Sequence, residues 1–314
     1  MLTGGVVRGL RAVGLGLVAV AGGLTAVGAL YAPNTTIPAG WPGTHVTVAG
    51  TPLRVVQVGH GPEVLLIHGS PGSVEDWEPV MAALSDSFHM TAFDRPGHGY
   101  SGDTGQYSFS HNADVALGLI DQLKLDHVVV VGHSYGGSTA LAMAERAPEH
   151  VDAYVVIDSA TYTPQRKVDA TYRVLDLPLV GLGFSTLLGP LLAPAKIRKG
   201  LGEVFVGQEP GEDFVAKRIQ IWNCPKVAHA IAEETIGAAA GLQAQSPSYP
   251  GIARPVVLVA EADSAFRRET AEHLHRDIAG SSLHLVPGTG HMIQFQKTAD
   301  VVAAIREAAQ ASAH

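Results

Sequence analysis

Short β-branched runs alternate along this chain with longer stretches in which apolar residues recur every three or four positions. The runs are His45–Ala49, Leu53–Val58, Val64–Ile67, His89–Phe93, Asp126–Val131, Ala153–Ile157, Pro255–Ala260 and Leu283–Val286. The first two are joined by a turn at Gly50-Thr51-Pro52. Several of the others, Val128-Val129-Val130-Val131 above all, have no polar alternation, the pattern of strands buried on both faces. Helical periodicity or composition marks Asp76–Leu84, Asn112–Leu123, Ser138–Ala147, Ala265–Ile278 and Ala299–Ala309. Strands that alternate with helices predict a mostly parallel eight-stranded sheet covered on both faces. In such sheets ligands bind outside the carboxyl ends of the strands.

Two segments break the alternation. From Thr161 to Gly251 the chain runs too long for a structureless loop, and it carries helical patterns at Phe214–Trp222 and Ala228–Ala240. This predicts a helical cap inserted over the sheet. Within it Leu177–Pro194 is uncharged, and its prolines and glycines predict short apolar segments facing a pocket instead of one membrane-spanning helix, with docking on lipid as the alternative. At the other break, Ala12–Ala32 is uncharged and follows Arg8 and Arg11. Its length suits a retained membrane anchor, while Val27 and Ala29 could mark a cleavage site. The arginines place the remainder on the extracytoplasmic side, or in the medium or periplasm after cleavage. Pro33–Gly43 reads as a tether, so a chain beginning near Thr44 is expected to fold and act alone. The expected organisation is an anchor or signal (1–32), a linker (33–43), a core in two parts (44–160 and 252–314) and the cap (161–251).

The composition changes this picture little. With 314 residues and a formal net charge of −8, the chain carries no electrostatic footprint for nucleic acid. Cys224 is the only cysteine, which excludes an intrachain disulfide and a multi-cysteine zinc site.

The chemistry gathers at predicted strand ends. Gly132-His133-Ser134-Tyr135-Gly136 follows a buried strand and precedes a helix, which sets Ser134 on a sharp strand-to-helix turn. Such a hydroxyl needs a base oriented by a carboxylate. Of 15 histidines, His291 lies in a flexible Pro287–His291 loop from which it can reach the strand ends. His133 reads as a packing residue, and His68 and His98 as turn supports or pocket lining. Asp263, after the strand ending at Ala260, is the expected acid from spacing and from the order Ser–Asp–His. Asp158 is its rival, with Glu261 third. Backbone N–H groups of Ser70, in His68–Gly72, and of Tyr135 are expected to face an oxyanion.

These motifs together (HGSPG at 68–72, DRPGHGYS at 94–101, GHSYGG at 132–137, the segment ending at Asp263 and PGTGH at 287–291) resemble the α/β-hydrolase family, in its capped serine-esterase branch. The resemblance spans His45 to the C-terminus. It implies Ser134, Asp263 and His291 as a catalytic triad acting on a small-molecule ester without metal or organic cofactor, and no catalytic role for Asp94, Arg95 or His98. Hydrolysis of carbon–carbon bonds, cofactor-free perhydrolysis and a slow-turnover ligand receptor remain open on the same residues. Membrane association is expected through residues 12–32.

Overall fold

A computed structural model describes residues 4–163 and 168–312, with side chains from Val13 onward; Arg8 and Arg11, on which the expected orientation rests, lie outside the described side chains. The chain opens with α1 (Gly4–Ala29), followed by β1 (Thr44–Val48), β2 (Thr51–Gly59) and β3 (Glu63–Ile67). Next come α2 (Glu78–Leu84), β4 (His89–Phe93), α3 (Phe109–Leu123), β5 (Val128–His133), α4 (Tyr135–Ala144) and β6 (Val151–Ile157). Four helices then intervene: α5 (Ala170–Leu175), α6 (Val180–Val204), α7 (Glu212–Trp222) and α8 (Pro225–Gln245). The chain closes with β7 (Val256–Glu261), α9 (Ala265–Asp277), β8 (Ser282–Val286), α10 (Ile293–Gln296) and α11 (Thr298–Ala311).

The eight strands form one sheet in the order β1-β2-β4-β3-β5-β6-β7-β8, and only β2 runs against the others. The unbroken apolar runs follow from this placement. Val128 and Val130 of β5 face one core with Leu65, Ile67 and the inner sides of α3 and α4. Val129 and Val131 face the other, with Val64, Leu66, Trp77 and Ile305. A strand with both faces buried has no position left for a polar residue.

The topology also fixes where a ligand can sit. From β3 the chain moves outward to β4, then returns to β5 on the other side of β3, so loops after β3 and β5 diverge at a crevice. Ile67 pairs with Gly132, which brings His68–Gly72 alongside Ser134. The four helices between β6 and β7 lie at this end of the sheet, where residues of α6 and α8 line cavities with Ser134.

Two expectations require correction. Leu177–Pro194 does not break into short segments, because α6 is a single helix of 25 residues that holds Pro190 and Pro194 inside it. Each interior proline costs about 3 kcal/mol through a lost hydrogen bond and a steric clash. Packing of α6 against α1, α7 and α8 supplies the compensation that local propensity does not. Nor is Pro33–Gly43 a free tether. Ile37 and Trp41 pack with Tyr100, Leu201, Val215 and Trp222, and Arg54 donates two hydrogen bonds to the Pro42 carbonyl. Residues 31–43 are therefore a strap laid over the cap and core.

Candidate active site

Ser134 occupies the turn between β5 and α4 with φ +54° and ψ −117°, a left-handed conformation that a non-glycine residue adopts only under constraint. The constraint is steric. A Cβ at Gly136 would stand 2.1 Å from the Ile67 carbonyl oxygen, and one at Gly132 would stand 2.2 Å from that of Gly136. Strand, turn and helix thus pack backbone to backbone, and the Ser134 N–H donates to the Ile157 carbonyl at 2.9 Å. As the first residue of α4, Tyr135 has an N–H with no intrahelical acceptor, at the positive end of the helix.

Ser70, Ser134 and Tyr135 line one cavity of about 330 Å³, together with Phe109, Ala238 and Leu242. Ser70, Ser134 and His291 line a second of about 460 Å³, closed by Ile197, Leu201, Trp222 and Ile231. The serine stands where the two meet. His291 reaches this cavity from the loop after β8, and the carboxylate that meets its ring is Asp158, not the Asp263 that spacing favours. His291 Nδ1 lies 2.5 Å from Asp158 Oδ2. Asp263 accepts instead from the Gly288 backbone N–H at 2.7 Å and so ties down the loop that carries His291. Glu261 offers only its backbone N–H, to Asp158 Oδ1. The physical reason is strand order. Asp158 follows β6, the immediate neighbour of β5, whereas Asp263 follows β7, one strand farther from Ser134.

Electrostatics suit a neutral imidazole over a charged carboxylate. Burial draws His291 below the ordinary histidine value and Arg267 adds to this, while the hydrogen bond to Asp158 opposes it. Burial would raise Asp158, but the His291 hydrogen bond, the His291 charge and Arg267 outweigh it and hold the carboxyl below the usual range. Arg267 also donates to the Asp158 carbonyl at 2.9 Å. With Nδ1–H given to Asp158, Nε2 is left as the basic atom.

His133 is buried, with Nε2 2.9 Å from the His291 carbonyl. A carbonyl only accepts, so Nε2 carries the hydrogen, and burial lowers the ring to about 3, keeping it neutral. It holds the backbone of His291 in place, in agreement with a packing residue.

One group escaped sequence reasoning. Glu234 of α8 pairs in the buried interior with Arg95, whose guanidinium donates also to the His68 and Gly69 carbonyls. His98 Nε2 adds a contact at 3.2 Å to the same carboxylate. Burial would raise Glu234, but Arg95 and His98 hold it at about 2. An inserted helix is thus locked to the loop carrying Ser70. Nothing in the local pattern around Glu234 points to a partner 139 positions away.

Comparison with known proteins gives these elements a context. Residues 64–305 match the model of the Alpha/beta hydrolase family. The chain is 27% identical to an esterase of Mycobacterium tuberculosis over 260 residues, covering 79% of this chain and 83% of that protein. It is 31% identical to a 2-hydroxymuconate semialdehyde hydrolase of Pseudomonas sp. over 186 residues, covering 54% and 66% respectively. In fold it is similar to an esterase from Exiguobacterium antarcticum, with a TM-score of 0.68, 22% identity and coverage of 85% of this chain and 99% of the other. By its matched sequence and by the sheet that carries Ser134 and His291 at its strand ends, the chain belongs to the alpha/beta hydrolase family.

Proposed function

We propose that the protein is a serine hydrolase that cleaves apolar carboxylic esters through an acyl-enzyme, held at a membrane by α1. The observation that carries the reading is the meeting of three features in one cavity: the strained Ser134, the loop of Ser70, and His291 backed by Asp158. In the proposed reaction His291 Nε2 takes the Ser134 proton as Oγ attacks the ester carbonyl, and then passes it to the leaving alkoxide. Ser70 and Tyr135 N–H groups hold the developing oxyanion. Asp158 keeps the ring in the required tautomer and stabilises the imidazolium. Water, activated by the same imidazole, then releases the acid. The apolar lining of the larger cavity by Ile197, Leu201 and Ile231 supports an apolar acyl or alcohol group.

A fluorophosphonate probe should label the wild-type protein at Ser134 and leave Ser134→Ala unlabelled. Labelling that persists in the variant would refute the assignment. A panel of esters of increasing chain length should show kcat/KM rising until the cavity is filled, since each buried methylene contributes about 0.8 kcal/mol. The hydrolase relative that acts on a muconate semialdehyde supplies the alternative, carbon–carbon bond cleavage. A 2-hydroxy-6-oxo-dienoate turned over faster than every ester in the panel would favour it. Stoichiometric acylation without sustained release would favour a ligand receptor.

A further inference from the structure

Two apolar helices meet at one end of the molecule. From Val13 to Gly23 every residue of α1 is exposed, and none of Gly14, Gly16, Gly22 and Gly23 has a neighbouring atom that a Cβ would meet. Only the last turns dock. A Cβ at Gly28 would stand 1.9 Å from the Leu179 carbonyl oxygen, and one at Gly183 would stand 1.9 Å from that of Leu24. The pairing of 28 with 179 and of 24 with 183 sets α1 antiparallel to the start of α6. Contacts this close, backbone against backbone, fix α1 to α6. The strap adds to the grip, because the Tyr31 hydroxyl lies 3.3 Å from Cys224 Sγ at the α7–α8 junction.

Beyond the clamp α6 exposes a patch of its own. Leu187, Leu188, Pro190, Leu191 and Leu192 are all exposed, Leu191 at 76%. Farther along, Ile197 and Leu201 of the same helix line the 460 Å³ cavity that holds Ser134 and His291. The patch is therefore the outer surface of the element whose continuation walls the active site. At 1.5 Å per residue the uncharged part of α1, from Ala12 to Ala29, extends about 27 Å, close to the ~30 Å of a bilayer's hydrocarbon core. The stretch from Val13 to Gly23, apolar and exposed throughout, has no folded partner among the described residues, and hydrocarbon is the medium that can cover it. The α6 patch begins one turn beyond the contact of Gly183 with Leu24, within reach of the same medium.

We propose that the Leu187–Leu192 face of α6 docks into the same bilayer that holds α1, so that the cavity behind α6 takes its esters from the lipid phase. The substrate class is an ester whose apolar chain partitions into membranes. The clamp between α1 and α6 sets the orientation, with the cap toward the membrane and the sheet away from it. The substrate part of this inference rests on the ester-hydrolase reading, and the docking part does not.

The test uses the full-length protein reconstituted into phosphatidylcholine vesicles with bromine on the acyl chains. Tryptophan introduced by Leu191→Trp should be quenched by the brominated lipid relative to plain lipid. Tryptophan introduced by Phe266→Trp, at an exposed position of α9, should not. In parallel, Leu191→Glu/Leu192→Glu should lose about tenfold or more in kcat/KM on a long-chain ester carried in the vesicles, as charged groups are expelled from the apolar phase. The same variant should keep wild-type rates on a water-soluble short-chain ester. Equal quenching at 191 and 266, protein that fails to float with vesicles, or an unchanged rate on the vesicle-borne ester would each overturn the proposal. Quenching at 191 in a protein that hydrolyses neither ester would uphold the docking and refute the ester reading.

Discussion

Asp158 and Asp263 are both carboxylates at strand ends, and one hydrogen bond separates their roles. Asp158 receives the Nδ1–H of His291, while Asp263 receives a backbone N–H from the loop that carries it. Asp158→Asn offers its amide hydrogens to Nδ1 and favours the wrong tautomer, so turnover should fall about 10⁴-fold, the magnitude known for an equivalent change in a serine protease. Asp263→Asn keeps an acceptor oxygen for Gly288 and should retain most activity. Steady-state rates on one activated ester check both, and near-wild-type turnover by Asp158→Asn would remove it from the mechanism. The contact between Asp158 and His291 also bears on pH. Burial first, then Arg267, lowers the His291 value, so kcat/KM should decline only as pH drops below the ordinary histidine range of about 6.5. Arg267→Gln removes a positive charge that opposes the imidazolium. Its acid limb should therefore move to higher pH, and a pH–rate profile that moves the other way would contradict this account.

Among the elements, the β5–α4 unit is the most tightly specified. Gly136 permits α4 to start against the end of β3, where the Ile67 carbonyl stands too near for any side chain. Gly136→Ala forces backbone to move against backbone, and overpacking of that kind costs about 1–3 kcal/mol. Urea denaturation should report that loss, accompanied by slower acylation of Ser134, since the shift opens the turn that carries it. An unaltered midpoint would mean that α4 approaches β3 less closely. The inserted helices depend on longer connections. The Glu234–Arg95 pair ties α8 to the Ser70 loop, and the α1–α6 clamp ties the N-terminal helix to the cap. Both hold together segments that are far apart in the chain.

For the whole molecule the strap changes where the chain can be shortened. A protein beginning at Thr44 loses Ile37 and Trp41, which pack on the cap, and the Pro42 carbonyl that Arg54 holds. One beginning at Tyr31 keeps all of these and sheds α1, including the last turns that pack on α6. Each apolar side chain fully buried contributes about 1.5–3 kcal/mol, and these two are partly buried. The Tyr31 protein should therefore melt several degrees above the Thr44 protein, with calorimetry as the check. Equal melting temperatures would restore the picture of residues 33–43 as a loose tether.

Most of the architecture was legible in the sequence because it depends on local order. The β-branched runs buried on two faces, the glycines around Ser134 and the alternation of strand and helix each follow from a few adjacent residues. They specify the eight strands, the turn that bears the serine and the loop that bears His291. What the sequence left open depends on which strands become neighbours. Asp263 fits the expected spacing, but β6 lies between β7 and β5, so the carboxylate that meets His291 is the one after β6. The prolines of α6 argue against a helix by propensity, and packing between distant segments overrides them. The strap reads as a linker because its prolines and glycines are loop-forming, while its attachment depends on Trp41 and Ile37 meeting residues of the cap. In each case the deciding contact joins residues far apart in the chain, and local preference carries no information about such contacts.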